Sequence, residues 1–197
     1  MKQKEVEVPT AEKILSSLEE EKRKLLEMSR ISLQLNNYDE IFSDFDPRAY
    51  SQRALSDDFL QETKRASRDK VSGTIELRFL VPKKARNLKH ESMIKKRLRE
   101  HFKKHFDEIN KEFKKVRRKG IFFIITGIVL MFLATLILFR YAEGNFLMTF
   151  LVILLEPGGW FLFWEGLDLI IFEAKKGIPN LSFYKKMSKC SINFFSY

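Results

Sequence analysis

The chain is poor in cysteine and lacks the short motifs that mark common catalytic sites. Its single cysteine, Cys190, excludes a disulfide within the chain, which suits a reducing compartment such as the cytosol. Among the 197 residues there is no phosphate-binding glycine loop, nucleophile elbow, CxxC pair or dinucleotide-binding fingerprint. Residues 1–30 carry charges throughout and lack the apolar segment of a signal peptide, so none is expected. The sequence therefore predicts neither an enzyme nor a bound cofactor.

Charge is absent from one long apolar run, residues 121–139, and sparse in a second, residues 146–172. At about 1.5 Å per helical residue, the first run nearly covers a hydrocarbon core of about 30 Å. The six residues 140–145 between the runs suffice to reverse the chain and are too few to build a domain. We therefore predict a transmembrane hairpin over residues 121–172, with spans at about 121–139 and 146–168.

Basic residues flank this predicted hairpin and are scarce in its turn. The turn offers Arg140 offset by Glu143, whereas Lys175 and Lys176 follow the hairpin and five basic residues precede it. By the positive-inside rule, both termini are predicted to be cytoplasmic, in a multi-pass protein of the cell membrane. The five preceding residues are Lys114, Lys115, Arg117, Arg118 and Lys119.

The net charge of +10 is concentrated just before the hairpin. Residues 82–120 hold 16 basic and 5 acidic residues, a balance of +11, whereas residues 1–81 hold 14 and 16, a balance of −2. A basic segment beside a span most simply binds anionic lipid headgroups, at about 1 kcal/mol per Lys or Arg. Nucleic acid is not expected as a partner, because Phe102, Phe106 and Phe113 lie on the apolar stripe of the segment and would be buried rather than stacked on bases.

Residues 31–88 are predicted to form an α+β cytosolic domain, a small two- or three-stranded sheet with helices. Alternating apolar residues indicate strands at 31–35 and 74–81. Ser56 is expected to cap a helix over about 57–69, with two aspartates favourably placed at the positive end of the helix dipole. The order of strand, helix and strand suggests a βαβ-like unit.

Helices are predicted on both sides of this domain, and a tail closes the chain. Residues 1–30 hold a short amphipathic helix, which packs on its own domain or pairs in a coiled coil. Residues 89–120 form a long basic stalk helix whose apolar stripe steps by threes and fours toward the first span. Gly177-Ile178-Pro179 is expected to break the helix of the second span. Residues 173–197 then form a cytosolic tail, in which residues 191–197 either add a third strand or stay irregular.

The strongest functional candidate is Glu156, because the turn length places it near the middle of the bilayer, opposite Val129 and Leu130. A charge at that depth costs at least about 2.5–3.5 kcal/mol, so such residues usually face a bundle interior and often mark an ion path. Two interpretations stay open: freed carbonyls beside the carboxylate hold a cation, or a protonated Glu156 hydrogen-bonds a freed carbonyl or a hydroxyl such as that of Thr126. The residues expected to kink or break the helix here are Pro157, Gly158 and Gly159.

Two further acids, Glu165 and Asp168, share one helical face near the cytoplasmic end of the second span. Pairing with basic residues at the membrane boundary explains them more simply than a role in transport. Trp160 and Trp164 lie one turn apart and fit an aromatic belt at the same boundary. The basic partners expected for the two acids are Arg117, Arg118 and Lys175.

Two weak metal hypotheses arise outside the spans. His101 and His105 lie four residues apart on the stalk helix, with Glu108 one turn further, which is the geometry of a metal clip. Solvated histidines are the simpler interpretation on so polar a helix. Asp44 and Asp46 have the ligand chemistry for Mg²⁺, together with two acids upstream, yet solubility and turn capping explain this loop equally well. No metal site is therefore assigned.

Two stretches carry a resemblance to known sequences. One runs Ile41-Phe-Ser-Asp-Phe-Asp-Pro-Arg48 and continues at Ala54-Leu-Ser-Asp-Asp-Phe-Leu60, and the other runs Glu156-Pro-Gly-Gly-Trp-Phe-Leu-Phe-Trp-Glu-Gly-Leu-Asp168. Together they resemble an uncharacterised family of small two-span prokaryotic membrane proteins with an N-terminal cytosolic domain. The resemblance implies the two-span architecture and no activity or functional residue.

These patterns predict a two-span membrane protein that forms a homo-oligomer, because a thin sheet and a stalk with an apolar stripe leave surface for neighbours to cover. Its leading predicted function is a membrane-anchored scaffold or interaction module, which binds anionic lipid headgroups and an unidentified protein partner. The alternative is a cation or proton pathway around Glu156. That pathway requires several copies, because two spans cannot enclose a pore alone.

Overall fold

The computed structural model describes residues 29–68, 70, 75–141 and 145–197. These residues are mostly helical, with a small three-stranded parallel sheet and two long apolar helices. They divide into two compact units, the first containing the described residues up to Phe102 together with Lys185–Tyr197, and the second Lys103–Tyr184. The predicted N-terminal helix lies outside the described residues except at its end, where Arg30 already belongs to a strand.

The first unit contains the sheet, whose strands are β1 (Arg30–Gln34), β2 (Glu76–Val81) and β3 (Ser191–Ser196). The strand order is β1-β2-β3, and both neighbouring pairs are parallel. Strand β2 forms because Leu77 and Phe79 alternate with polar residues and bury one face completely. Both strands predicted from the alternating pattern are confirmed, and of the two alternatives left open for residues 191–197 the third strand is the one that forms.

A capped loop and a short helix connect β1 to β2. The loop begins with a 3-10 turn at Tyr38–Ile41, whose first amides donate to the side chain of Asn37. Helix α1 then spans Asp57–Ser67. Its N-cap is Ser56, whose hydroxyl accepts a hydrogen bond from Phe59 N. The predicted cap and helix are confirmed. The sequence of strand, helix and parallel strand agrees with the predicted βαβ order.

Helix α2, Leu88–Tyr141, is one continuous helix of 54 residues. Asn87 precedes its first residue, and the side-chain oxygen of Asn87 accepts hydrogen bonds from Lys89 N and His90 N. Its apolar stripe is fully buried in the first unit at Ile94, Leu98 and Phe102. Further along, the stripe residues are only half-buried, at Phe106, Ile109, Phe113 and Val116.

The second long helix is α3, Phe146–Asp168, which is followed by a π-helical turn at Leu169–Glu173 and by helix α4, Ala174–Met187. Asn145 caps α3 by accepting from Leu147 N. By length and composition, the segments Leu88–Arg140 and Phe146–Met187 are both long and apolar enough to cross a membrane.

The helix does not break at either of the two places where the sequence pointed to a break. The backbone stays α-helical through Pro157, Gly158 and Gly159, and helix α4 contains Pro179 in its interior. A proline removes one backbone donor, but the flanking hydrogen bonds hold the helix, and in apolar surroundings a broken turn would leave further backbone groups without partners. The departure from α-geometry comes later, where Ala174 N–H donates to the Leu169 carbonyl in the π-helical turn.

Candidate functional site

A seam of small residues joins α2 to α3 within the second unit, and we call it the glycine seam. Its members are spaced seven residues apart on each helix and are all buried: Gly120, Gly127 and Ala134 on α2, and Val152, Gly159 and Gly166 on α3. A Cβ added to Gly127 would lie 2.5 Å from the Gly159 carbonyl oxygen, and one added to Gly120 would lie 2.9 Å from the Gly166 carbonyl oxygen. Gly120 therefore contacts Gly166, whereas Gly127, which is later in α2, contacts Gly159, which is earlier in α3. The two helices are antiparallel at this contact.

The backbones approach this closely only because the glycines of the seam lack side chains. A Cβ at Gly159 would also lie 3.0 Å from Met131 N, whereas a Cβ at the neighbouring Gly158 would meet nothing within 4 Å. A kink or break was expected at both glycines, and both lie within the continuous helix α3. The seven-residue spacing of small residues was the signal that could have identified the seam.

The surfaces of α2 and α3 that face away from the seam are apolar. Phe139 is 90% exposed, Phe146 is 85% exposed and Phe161 is 65% exposed. Many aliphatic side chains between residues 121 and 172 are exposed in the same way, including Ile125, Leu136 and Ile153. The apolar side chains of these helices therefore point outward, and the small residues point inward.

Glu156 lies on the exposed surface of α3, one turn before Gly159 of the seam. The contact between Gly127 and Gly159 places it level with Leu130, in agreement with the register between the two helices that the turn length predicts. Among the residues that the structure describes, Glu156 makes no hydrogen bond or ion pair. The predicted bond with Thr126 is absent, because that hydroxyl donates to the Phe122 carbonyl at 2.8 Å.

Glu165 and Asp168 lie in a groove on the outer surface of α3, and we call it the acidic groove. The groove has a volume of about 350 Å³. Neither acid forms an ion pair within the described part of the chain, so the expected pairing with Arg117, Arg118 or Lys175 is wrong. Lys176 pairs instead with Glu173, and Asp168 contributes a weaker attraction. The other residues that line the groove are Phe161, Trp164, Leu167, Ile171 and Phe172.

The basic residues before the first apolar run are exposed and surround the helix. One of them, Lys119, lies with its Nζ 5.2 Å from the ring centroid of Phe123, which is a cation–π geometry. The exposed basic residues are Lys114, Lys115, Arg117, Arg118 and Lys119. Because Gly120 contacts Gly166, these charges lie at about the level of residues 167–172 of the second helical segment.

The two candidate histidines lie among aromatic and acidic neighbours. The His101 ring contacts Phe102 edge-on at 5.7 Å, and the His105 ring lies 5.4 Å from that of Tyr184. The Nδ1 of His105 is 3.3 Å from Glu108 Oε2. Within the described ranges, no group of three or more His, Cys, Asp or Glu side chains is arranged to hold a metal ion.

The Asp44 and Asp46 loop is organised by hydrogen bonds to protein groups. Asp46 accepts from Arg48 Nε at 2.9 Å, from Arg48 Nη2 at 2.8 Å and from Ala54 N at 2.7 Å. These bonds, chiefly those from the Arg48 guanidinium, hold the pKa of Asp46 far below its usual range. Asp44 is exposed. Turn capping, the simpler of the two sequence interpretations, accounts for the role of Asp46.

The first unit contains a buried polar network that the sequence did not predict. Glu91 is 4% exposed and accepts hydrogen bonds from Tyr38 Oη at 3.0 Å and from Arg86 Nε at 2.8 Å. Tyr38 Oη in turn accepts from Asn87 N at 2.9 Å. The bond from Arg86 is the main cause of the lowered pKa of Glu91. This network ties the loop after β1 to the start of α2.

Comparisons of the chain with protein-family models, with curated proteins and with solved structures found no match.

Proposed function

We propose that this chain is a two-pass integral membrane protein, in which residues 121–172 form a transmembrane hairpin and the first unit is a cytosolic α+β domain. The observation that carries the proposal is the outward apolar surface of α2 and α3, because a water-facing helix pair would present polar residues there. Exposed phenylalanines such as Phe139 and Phe146 would be hydrated in water and are favourable against lipid chains.

The glycine seam supports the same proposal. In lipid, the hydrophobic effect does not drive two helices together, so association depends on close packing through small residues. Gly120, Gly127, Gly159 and Gly166 provide that close approach between α2 and α3. A bilayer favours this arrangement, in which apolar residues cover the outer surface of the helix pair and glycines lie at the contact between the two helices.

The basic segment gives the hairpin its orientation and a lipid partner. Five exposed cations precede the first span, so both termini are cytoplasmic and anionic headgroups bind at that boundary. Lys114→Glu with Lys115→Glu should weaken binding to vesicles that contain anionic lipid. The matched reversal Lys103→Glu with Lys104→Glu makes the same charge change about 16 Å earlier in the helix, farther from the predicted span. It should weaken vesicle binding less. Equal effects of the two reversals would contradict a headgroup site at this boundary.

The activity that we propose is that of an oligomeric, membrane-anchored scaffold or interaction module. Support comes from exposed apolar side chains of the first unit, above all Phe45, which is 97% exposed on the loop that Asp46 organises. We expect a neighbouring copy or a protein partner to cover such groups. The oligomeric state in nanodiscs, measured by native mass spectrometry, tests the proposal. A chain that stays monomeric at all concentrations would contradict the oligomeric scaffold.

A second candidate function is a cation or proton pathway around Glu156. The observation that favours it is an exposed carboxylate without a partner in the described chain, level with the middle of the first span. Several copies would have to bring their Glu156 residues around a shared axis. Glu156→Gln should then reduce ion or proton flux into liposomes. Glu173→Gln should leave the flux unchanged, because Glu173 lies away from the centre of the proposed spans. A ring of four or more copies would favour this pathway, and equal flux in all three proteins would exclude Glu156 from it.

A further inference from the structure

The acidic groove combines three features at one end of α3. Apolar and aromatic side chains form its walls, and the half-buried Glu165 and the exposed Asp168 lie within it. The two acids are three residues apart on a helix, so their side chains are neighbours. The π-helical turn Leu169–Glu173 forms the end of the groove that lies beyond Asp168.

The two carboxylates of the groove have no cation of their own among the described residues. The nearest basic side chain that acts on Asp168 is Lys176, which is already bound to Glu173. Two carboxylates next to apolar walls are costly unless a cation approaches them. The groove is therefore complementary to a positively charged group.

The walls and the location of the groove restrict what carries that charge. Trp164 is 51% exposed, and indole is the aromatic ring that best attracts a cation. Phe161, Ile171 and Phe172 extend the groove with apolar surface on both sides of the acids. An ammonium has three N–H donors, enough to bond both carboxylates at once. The fitting ligand thus has an ammonium head and an apolar tail.

We propose that the acidic groove binds the headgroup of a phospholipid that carries a primary amine, the ethanolamine class. The ammonium lies between Glu165 and Asp168 against the indole of Trp164, and the acyl chains follow the outward apolar surface of α3. The phosphate of such a lipid lies at the level of the exposed cations that precede Gly120. This inference depends on the proposed membrane insertion, since it places the groove at the bilayer boundary.

The test uses the full chain in nanodiscs that contain equal parts of ethanolamine, choline and glycerol phospholipids, with bound lipids counted by native mass spectrometry after release. Wild type should retain the ethanolamine lipid in preference to the other two. Glu165→Gln and Asp168→Asn should each lower that retention about tenfold, the value of one charge-assisted hydrogen bond. Glu112→Gln removes one exposed negative charge on α2, leaves the pair between Lys176 and Glu173 in place, and should retain the lipid as wild type does.

The alternative outcomes are distinct. Equal retention of the three lipids, or unchanged retention in Glu165→Gln and Asp168→Asn, would overturn the inference. Binding of free ethanolamine by the detergent-solubilised protein as tightly as the lipid would overturn the assignment to a lipid. A chain that fails to enter nanodiscs while its circular dichroism remains helical would instead overturn the proposed membrane insertion, which separates the two failures.

Discussion

The glycine seam yields a sharp prediction, because Gly158 and Gly159 are neighbours in the chain with opposite surroundings. A Cβ at Gly159 would lie 2.9 Å from the Gly127 carbonyl oxygen, which is 0.5 Å short of the 3.4 Å at which ordinary contact begins. A Cβ at Gly158 would meet nothing within 4 Å. Gly159→Ala must therefore push α2 and α3 apart, whereas Gly158→Ala need not move either helix.

The magnitudes follow from two opposing terms. Alanine is favoured over glycine in a helix by about 1 kcal/mol, so Gly158→Ala should be neutral or stabilising by up to that amount. Overpacking costs about 1–3 kcal/mol, so Gly159→Ala should be destabilising by up to about 2 kcal/mol after the same gain. Gly127→Ala should be the most severe, because its Cβ would lie 2.5 Å from a backbone oxygen and 2.7 Å from Phe163 N.

The assay is the free energy of unfolding in mild detergent, titrated with a denaturing detergent and followed by the fluorescence of Trp160 and Trp164. The rings of these two residues lie 5.6 Å apart on α3, so their emission reports on the helix that forms the seam. Gly158→Ala is the matched control. Equal unfolding free energies for Gly158→Ala and Gly159→Ala would refute the seam as the contact between the helices.

Three further predictions concern the first unit. Glu91→Gln should lower the free energy of unfolding by about 2–3 kcal/mol, because it weakens a buried network, and hydrogen exchange in the sheet should become faster. Folding lowers the pKa of Glu91 from 4.5. The stabilisation that Glu91 provides is therefore complete above pH 4.5 and is lost as the pH falls through the folded pKa. Burial raises the pKa of Cys190 from 9.0 to about 11, so at pH 8 its alkylation by a maleimide should be at least about 100-fold slower in the native protein than in denaturant. Asp46→Asn should speed exchange of the Ala54 amide that it accepts from, whereas Asp44→Asn, at an exposed position, should not.

Local patterns predicted the elements of the first unit well. The strands are visible because Leu77 and Phe79 alternate with polar residues, and α1 is visible because Ser56 precedes two aspartates. Local rules failed where surroundings decide the outcome. Pro157 removes a backbone donor and was expected to kink or break the helix, yet α3 continues through it.

Contacts between distant residues account for what the sequence analysis missed. Glu91 is satisfied by Tyr38, which lies 53 residues earlier, and no local pattern links the two. Likewise, the contact between Gly127 and Gly159 is evident only when the two helices are placed side by side. Within the described part of the chain, Glu165 and Asp168 do not pair with the expected partners, because lying at the same level on two neighbouring helices does not fix which face of a helix a charge occupies.

The most direct test of the two-span account is the accessibility of single introduced cysteines in cells that express the full chain. Arg140→Cys lies at the outer end of the first predicted span and Lys104→Cys lies before it, while the native Cys190 is buried and gives a low background. A membrane-impermeant maleimide should label Arg140→Cys in intact cells and Lys104→Cys only after permeabilisation. Labelling of both positions in intact cells, or of both only after permeabilisation, would contradict a membrane span between them.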